Sequence, residues 1–402
     1  MTKTKKKKKW IYTKMPKGYD KLIHLAVIIL MVFGTIMIAS ASMGLKTGDN
    51  RYLIITVVKQ IVYVTFGYAL MLMAANRFKF DSIRGSNFPP YVIAVVGALI
   101  ACRAFKPVNG SYGWIRIPFP GTQVTIQPSE FAKVVAILIV AAYCGDFKRS
   151  FKGFWEMMKV PILFLCLFLG IILVVQHDLG SAVVIFLVTC VCYLIPEHPQ
   201  LKTFQTVLKI VFWCFVGFVI FLLATDTGLK IIQALPLENY QINRFLSAID
   251  PTIDKYNSSY QLLKGLTSFA SGGWFGRGFG NSVLKYSDFP ETNTDYILAI
   301  LVEEFGYVGF LLLMSVYCLI LARLFYYTLK LRSEKGRIIL TGTAMYLLVH
   351  LFFNIGGVTG LIPLTGVPLL MISAGGSSTV AFMLAIGISQ AVIRMYNRKE
   401  IA

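Results

Sequence analysis

Charged side chains are scarce in this chain: 14% of its 402 residues are Asp, Glu, Lys or Arg, against 56% that are hydrophobic. An ordinary soluble domain carries about 25% charged residues. The deficit excludes a soluble core and implies an integral membrane protein. Acidic residues are scarcer than basic ones, which leaves a net charge of +20. Most of the basic residues stand in short segments between apolar runs. That is the pattern of topology determinants, and it argues against a nucleic-acid partner. Cysteine pairs are absent too. Cys102, Cys144, Cys166, Cys190, Cys192, Cys214 and Cys318 lie within or beside apolar runs, and none forms a CxxC pair. They read as small apolar residues of a membrane bundle and support no metal site. There is no Walker lysine pattern and no clear internal repeat, and the lysines at 5–9 are the one low-complexity tract.

What the chain has in quantity is apolar sequence in runs long enough to span a bilayer, which takes about twenty residues. The cores of these runs are 22–43, 52–75, 90–105, 129–144, 160–176, 179–195, 204–224, 296–326, 338–359 and 366–393. The expected fold is therefore an all-α integral membrane protein with about ten transmembrane helices. His177 and Asp178 alone part the fifth and sixth runs, so that turn is tight or dips into the bilayer.

Loop charge orients the bundle. With the N-terminus inside, the inner segments hold the N-terminal lysines, Arg77, Lys79, Arg84, Lys148, Arg149, Lys152, Lys159 and Lys202. Arg323, Lys330, Arg332, Lys335, Arg337, Arg394, Arg398 and Lys399 follow on the same side. The short outer loops and their edges hold only Lys46, Arg51, Arg103, Lys106 and Arg116. This asymmetry puts both termini in the cytoplasm and a large extracellular loop, 225–295, between spans seven and eight. The organisation is then a basic cytoplasmic segment 1–21, a single polytopic membrane domain 22–393 and a cytoplasmic tail 394–402. The first apolar run is too long for a typical signal-peptide core and reads as a retained helix. Segment 106–128 is too polar to span. With Trp114 and several prolines, it reads as an irregular stretch at the interface.

The residues that could carry chemistry gather at span ends. Asp295 directly precedes the eighth apolar run, where it could cap a helix or, as a carboxylate at the membrane surface, take a proton from a bound hydroxyl. Glu291 and Asp288 compete for the second role. Glu303 and Glu304 lie about two turns further on, Glu303 roughly 80° around the helix from Asp295. Such acids inside a span face a bundle interior or a cavity. Glu130 and Lys133, three apart at the start of the fourth span, can pair and should line a polar interior. Gln176, His177 and Asp178 suggest a helix end at an aqueous cavity, or a solvated turn capped by Asp178. The stretch 268–282 holds five glycines whose amides could bind an anion, with Arg277 and Lys285 beside them. The alternative there is a tightly turned outer loop. Arg244, Lys255 and Lys264 add cations, and the anion expected is a pyrophosphate on a lipid carrier. Gly and Pro between 356 and 378 break the last two spans, through close packing or by lining a cavity.

In this order the motifs resemble the SEDS family of bacterial cell-wall proteins (shape, elongation, division and sporulation). The carrying residues are Asn109-Gly110-Ser111 with Trp114-Ile115, Gln127-Pro128-Ser129-Glu130, Gln176 with Asp178-Leu179-Gly180, and Arg244 with Asp250-Pro251. They continue with Tyr260-Gln261, Ser271-Gly272-Gly273, Gly278 with Gly280, Pro290-Glu291 with Thr294-Asp295, Glu303-Glu304 with Gly306, and 366–378. The resemblance covers nearly the whole chain. It departs mildly at His177, Asn293, Tyr296 and Ala374, and Gly280-Asn281-Ser282 with Lys285 looks nearer the division type.

The resemblance implies a peptidoglycan glycosyltransferase of the bacterial cytoplasmic membrane. Its substrate is lipid II, and its partners are a class B penicillin-binding transpeptidase and other division or elongation proteins. The family's essential aspartate maps onto Asp295, and its paired acid and lysine onto Glu130 and Lys133. Further substrate contacts are expected from Ser111, Trp114, Gln127, Ser129, Gln176, Asp178, Arg244, Lys264, Arg277, Lys285, Glu291 and Glu303. The resemblance fixes no cofactor; a divalent cation, Mg or Mn, could assist the leaving pyrophosphate. The competing readings are a lipid II flippase and a non-catalytic scaffold for the transpeptidase.

Overall fold

The computed structural model describes residues 12–45, 48–83, 88–107, 110–119, 122–145, 153–234, 239–252 and 259–401. Lys46, Arg84, Asn109, Lys148, Arg149, Lys152 and Lys255, named above, lie outside the described residues, as does the tract at 5–9. The first seven helices are α1 (Lys21–Ser42), α2 (Asn50–Arg77), α3 (Pro89–Ala101), α4 (Pro128–Cys144), α5 (Phe154–Gly170), α6 (Leu179–Tyr193) and α7 (Lys202–Ala224). Three short helices follow: α8 (Asp226–Ala234), α9 (Asn239–Ile249) and α10 (Tyr260–Gly272). The last three are α11 (Ile297–Lys330), α12 (Glu334–Val358) and α13 (Gly376–Asn397).

Among the described residues, seven helices are long and apolar enough to cross a membrane: α1, α2, α5 with its π-helical extension, α7, α11, α12 and α13. The shorter α3 and α6 are also apolar. Together with α4 they match the ten apolar runs, with two corrections.

Segment 106–128 is not irregular throughout. Ile115–Phe119 (β1) and Thr122–Ile126 (β2) form an antiparallel hairpin in which Ile115 faces Ile126 and Ile117 faces Val124. Ile115, Ile117, Val124 and Ile126 recur with the two-residue period of a strand, and a two-stranded ribbon has only edge strands, which tolerate Pro118. The second correction concerns the tenth run. Its helix begins at Gly376, and residues 363–375 cross the bundle as a non-helical strap. Backbone without a helix is stable at such depth only if other groups take its polar atoms. Here Arg244, Asn354 and His350 do so, at the carbonyls of Leu364, Val367 and Pro368.

Helix α13 forms the centre of the bundle, with almost every residue buried. Small residues bring its backbone close to α2: a Cβ on Gly387 would lie 2.5 Å from the Met71 carbonyl oxygen, and one on Gly67 2.6 Å from Met383 Sδ. Helix α7 is the opposite case, with Val207, Ile210, Trp213, Phe218 and Ile220 all exposed, as on a face turned to lipid. Gly387→Leu is therefore expected to destabilise the fold by about 1–3 kcal/mol through overpacking. Gly217→Leu on α7, where a Cβ would meet nothing within 4 Å, is the control. Equal melting temperatures of the two variants in detergent would contradict this packing.

The two ends of the chain meet. Gln390 accepts the Asp20 amide at 2.8 Å and returns a bond to its carbonyl at 3.0 Å. The Asp20 carboxylate caps α1 and pairs with Arg323, and Asn397 Nδ2 donates to Gly18 O at 2.9 Å. The start of α1 and the end of α13 therefore share one face. The hairpin, the segment 273–296 and the strap gather at the other.

Candidate functional site

Asp295 does not cap α11. That helix begins at Ile297 after Tyr296, and no side chain caps it. The backbone before it is held tightly, which leaves the carboxylate for other work. Asn354 Nδ2 on α12 donates to Asp295 O and to Val367 O, both at 3.1 Å. Ser373 Oγ donates to Thr294 O at 2.7 Å, and the Ala374 amide donates to Asn293 O at 2.8 Å. Asn293 Nδ2 reaches Ser42 Oγ on α1 at 3.1 Å. The strap, α1 and α12 thus fix residues 293–295 from three sides.

The Asp295 carboxylate is partly buried and faces Gly366. A Cβ on Gly366 would lie 3.7 Å from Asp295 Oδ2 and 3.9 Å from Arg244 Nη1, so this glycine leaves room between carboxylate and guanidinium. Its φ of +71° also favours glycine. Arg244, on α9, is steadied by donating Nη1 to Leu364 O at 3.0 Å. A cavity of about 250 Å³ opens here, lined by Arg244, Ser247, Gln261, Tyr296 and Leu364 among others. Burial raises the Asp295 pKa, the negative charge of Glu291 adds to the rise and Arg244 opposes both, which together bring it to about 6. A carboxylate with that pKa is mostly ionised at neutral pH and is still a competent proton acceptor. Glu291 itself is exposed and accepts from Thr294 Oγ1.

Glu130 and Lys133 lie beneath the strap in the bundle interior. Lys133 Nζ donates to Glu130 Oε1 at 2.7 Å, and Tyr346 Oη donates to Glu130 Oε2 at 2.7 Å. Lys133 Nζ is also 3.1 Å from His350 Nε2, while His350 Nδ1 is 3.0 Å from Pro368 O. With the proton on Nδ1, the ring donates to the strap and accepts from the lysine. The pair is almost fully buried, so its contact with the site runs through His350 and the strap.

A second group of expected contacts forms a knot at the base of the hairpin. Ser111 Oγ donates to Gln176 O at 3.1 Å, and Gln176 Nε2 donates to Leu99 O at 2.8 Å. Asp178 caps α6 through the Ser181 amide at 3.0 Å and accepts from Gln127 Nε2 at 3.1 Å. Ser129 and Ser181 share a hydroxyl contact of 3.1 Å. Trp114 is half-buried beside this knot in sequence.

Lys285 and Glu303 depart most from expectation. Lys285 is fully buried, pairs with Glu304 at 2.7 Å and donates to Ser40 Oγ at 3.0 Å. Glu303 accepts from Ser282 Oγ at 2.6 Å and from the Val283 amide at 2.9 Å. Both are joints that fasten segment 272–287 to α1 and α11, and neither presents its charge to a substrate. The glycine-rich stretch is engaged in the same way. Gly306, with φ +67°, breaks α11 and frees the carbonyls of Glu303 and Glu304, which accept from the Arg277 and Gly278 amides at 2.9 Å each. Those amides are therefore not an anion nest. The Arg277 side chain is exposed, and Lys264 donates to Ser287 Oγ at 3.0 Å.

His350, Tyr346 and Asn354 were not singled out from sequence. The available signal was polar side chains within the ninth apolar run, at the i, i+4 spacing of one helix face.

The fold and site define a polytopic α-helical membrane protein with a polar reaction-sized cavity at the junction of loop and bundle. The chain belongs to the FtsW, RodA and SpoVE family of cell cycle proteins, which it matches over residues 20–398. It is 31% identical over 385 residues to a probable peptidoglycan glycosyltransferase FtsW of Coxiella burnetii, covering 92% of this chain and 95% of that one. The corresponding protein of Bacillus subtilis is 30% identical over 380 residues, covering 93% and 90%. Two solved structures share the fold. A chain of a peptidoglycan synthase complex, described as coordinating polymerization and crosslinking, superposes with TM-score 0.68 at 23% identity, covering 94% of this chain and 98% of that one. RodA of Thermus thermophilus gives 0.57 at 22% identity, covering 94% and 97%. The protein is a multi-pass protein of the bacterial cytoplasmic membrane.

Proposed function

We propose that this chain is a peptidoglycan glycosyltransferase that polymerises lipid II at the outer face of the cytoplasmic membrane. The observation that carries the reading is a single carboxylate, Asp295, with a pKa near 6, facing Arg244 across the gap that Gly366 leaves open. Asp295 takes the proton of the acceptor sugar's 4-hydroxyl. That oxygen bonds to the anomeric carbon of the donor, the bond from that carbon to the pyrophosphate oxygen breaks, and polyprenyl pyrophosphate leaves with inversion. Asp295 then releases its proton to water. Arg244 is suited to balance charge beside the reacting centre.

The same reading takes 22–393 as one membrane domain with 225–295 outside and 1–21 and 394–402 in the cytoplasm. Its partners are a class B penicillin-binding transpeptidase and division or elongation proteins, with the division type favoured. Glycan formation from lipid II by the purified protein and its transpeptidase, in detergent, tests the reading. A transporter has no two sides in detergent, so polymer there decides against a flippase, and its absence decides against the proposal.

The acid limb follows from the charges around Asp295. Turnover is expected to rise with pH through about 6, because the base must be ionised. Glu291→Gln removes the negative neighbour and moves that limb to lower pH. A pH–rate profile of both proteins checks the sign, and an upward shift contradicts the assignment.

A further inference from the structure

The face where the two chain ends meet is strongly basic. Segment 12–20 runs across the ends of α2 and α13 and is held by its carbonyls. Asn76 Nδ2 donates to Lys14 O at 3.1 Å, and Arg398 Nε donates to Lys17 O at 2.9 Å. These bonds fix the backbone, while the side chains of Lys14, Lys17 and Lys21 are exposed. The acid of this stretch, Asp20, is engaged: its Oδ1 accepts the Ile23 amide at 2.8 Å and its Oδ2 accepts Arg323 Nε at 3.0 Å. The sequence before it adds Lys3 and the lysines at 5–9, with no acid among residues 1–19.

Charge that merely orients a bundle needs no fixed geometry. Here there is geometry. Tyr326, exposed near the end of α11, stands between two cations. The Arg323 guanidinium lies 4.8 Å from its ring centroid and the Lys330 ammonium 4.2 Å, and Lys330 Nζ donates to Tyr326 Oη. The phenol accepts in that bond, so its own proton remains to be donated. Guanidinium, ammonium and hydroxyl together form a donor set suited to phosphate oxygens. The Asp20–Arg323 bond joins this set to the start of α1, where Lys21 follows. The same two helix ends expose apolar surface, Leu22 and Leu25 on α1 and Phe325 and Leu329 on α11. An acidic protein segment would use the cations and leave that surface bare. An anionic lipid uses both, its headgroup on the cations and its chains along α1 and α11.

We infer that this end of the bundle is a binding site for an anionic phospholipid, its headgroup held by Lys17, Lys21, Arg323, Tyr326 and Lys330. An anionic leaflet attracts juxtamembrane lysines and arginines, and the attraction grows with each cation. A headgroup that spans Lys17 and Lys330 clamps segment 12–20 against α11. The site lies at the face opposite Asp295 and does not depend on the glycosyl-transfer reading.

The test uses the full-length protein in detergent, with phosphatidylglycerol as the probe and phosphatidylcholine of the same chains as the control. In native mass spectrometry the wild type should retain phosphatidylglycerol over phosphatidylcholine, and only the former should raise the melting temperature. Lys17→Gln with Lys21→Gln and Lys330→Gln is expected to weaken retention by about tenfold or more and to abolish the thermal shift, while melting without lipid stays at the wild-type value. Arginine at the same three positions restores both. Tyr326→Phe, which cannot donate to a phosphate, weakens retention by a smaller factor. A charge-matched variant at the opposite face, Arg103→Gln with Lys106→Gln and Arg277→Gln, leaves retention unchanged. Equal retention of the two lipids by wild type, or an equal loss in the charge-matched variant, overturns the site. Glycerol 3-phosphate displacing the lipid at equal concentration overturns the lipid assignment, and polyglutamate doing so assigns the cations to an acidic protein instead. Should the triple glutamine variant not fold, Tyr326→Phe decides, and unchanged retention by it overturns the phosphate geometry.

Discussion

Asp295→Asn is expected to lower glycan formation by about 10²–10⁴-fold, the usual contribution of a positioned general base. The substitution keeps the size of the side chain and leaves the Asp295 carbonyl free to accept from Asn354, so the backbone grip at 3.1 Å survives. Melting in detergent should therefore change little, while the acid limb of the pH–rate profile should disappear. The size of the loss comes from the removal of an acceptor whose pKa, near 6, suits proton transfer at neutral pH. An asparagine variant that retains activity within a few-fold of wild type would take Asp295 out of the chemistry. In that case its carboxylate would serve only to balance Arg244.

The second large effect is on stability. Lys133→Ala leaves Glu130 as a buried carboxylate with Tyr346 as its remaining close donor. Breaking one partner of a buried pair costs about 3–5 kcal/mol, because the charge left behind is not solvated. Removing both charges in Glu130→Gln with Lys133→Met should cost markedly less, since no uncompensated charge remains. The difference can be read from thermal unfolding in detergent of the single and double variants. Activity should fall as well, because His350 links Lys133 to the Pro368 carbonyl of the strap, and the strap holds residues 293–295. A single variant as stable as wild type would mean that water reaches Glu130.

The two effects separate by position. Asp295 is fixed through its backbone, and its carboxylate makes no hydrogen bond among the described residues, so its replacement should alter rate without altering fold. Glu130 and Lys133 are engaged at their charged ends, so replacing one should alter the fold first and the rate through it. Variants that reversed this order would show that the buried pair, and not Asp295, meets the substrate.

Much of the architecture was legible because a bilayer imposes a local rule. A spanning segment must be apolar for about twenty residues and must satisfy its own backbone, so hydropathy marks the helices one at a time. The hairpin escaped because its two-residue period lasts only five residues per strand and carries prolines. The strap was only half legible: its glycines and prolines marked a break between 356 and 378, but its aliphatics placed 366–375 at the start of the tenth span. It is non-helical only because α9 and α12 supply partners for its carbonyls.

The site residues divide along the same line. Asp178 as the cap of α6 was readable from neighbours three residues away. Lys285 looked like a ligand because the loop that holds it is polar and cationic, and Glu303 because an acid inside a span faces a bundle interior or a cavity. Their burial follows from the kink at Gly306 and from Ser40 on α1, far off in sequence. Composition and hydropathy by themselves determined a polytopic helical membrane protein, and motif order determined its family. Only the tertiary structure decided which charges face one another and which face a cavity. Burial and pairing depend on groups brought together from distant spans, and no local pattern records them.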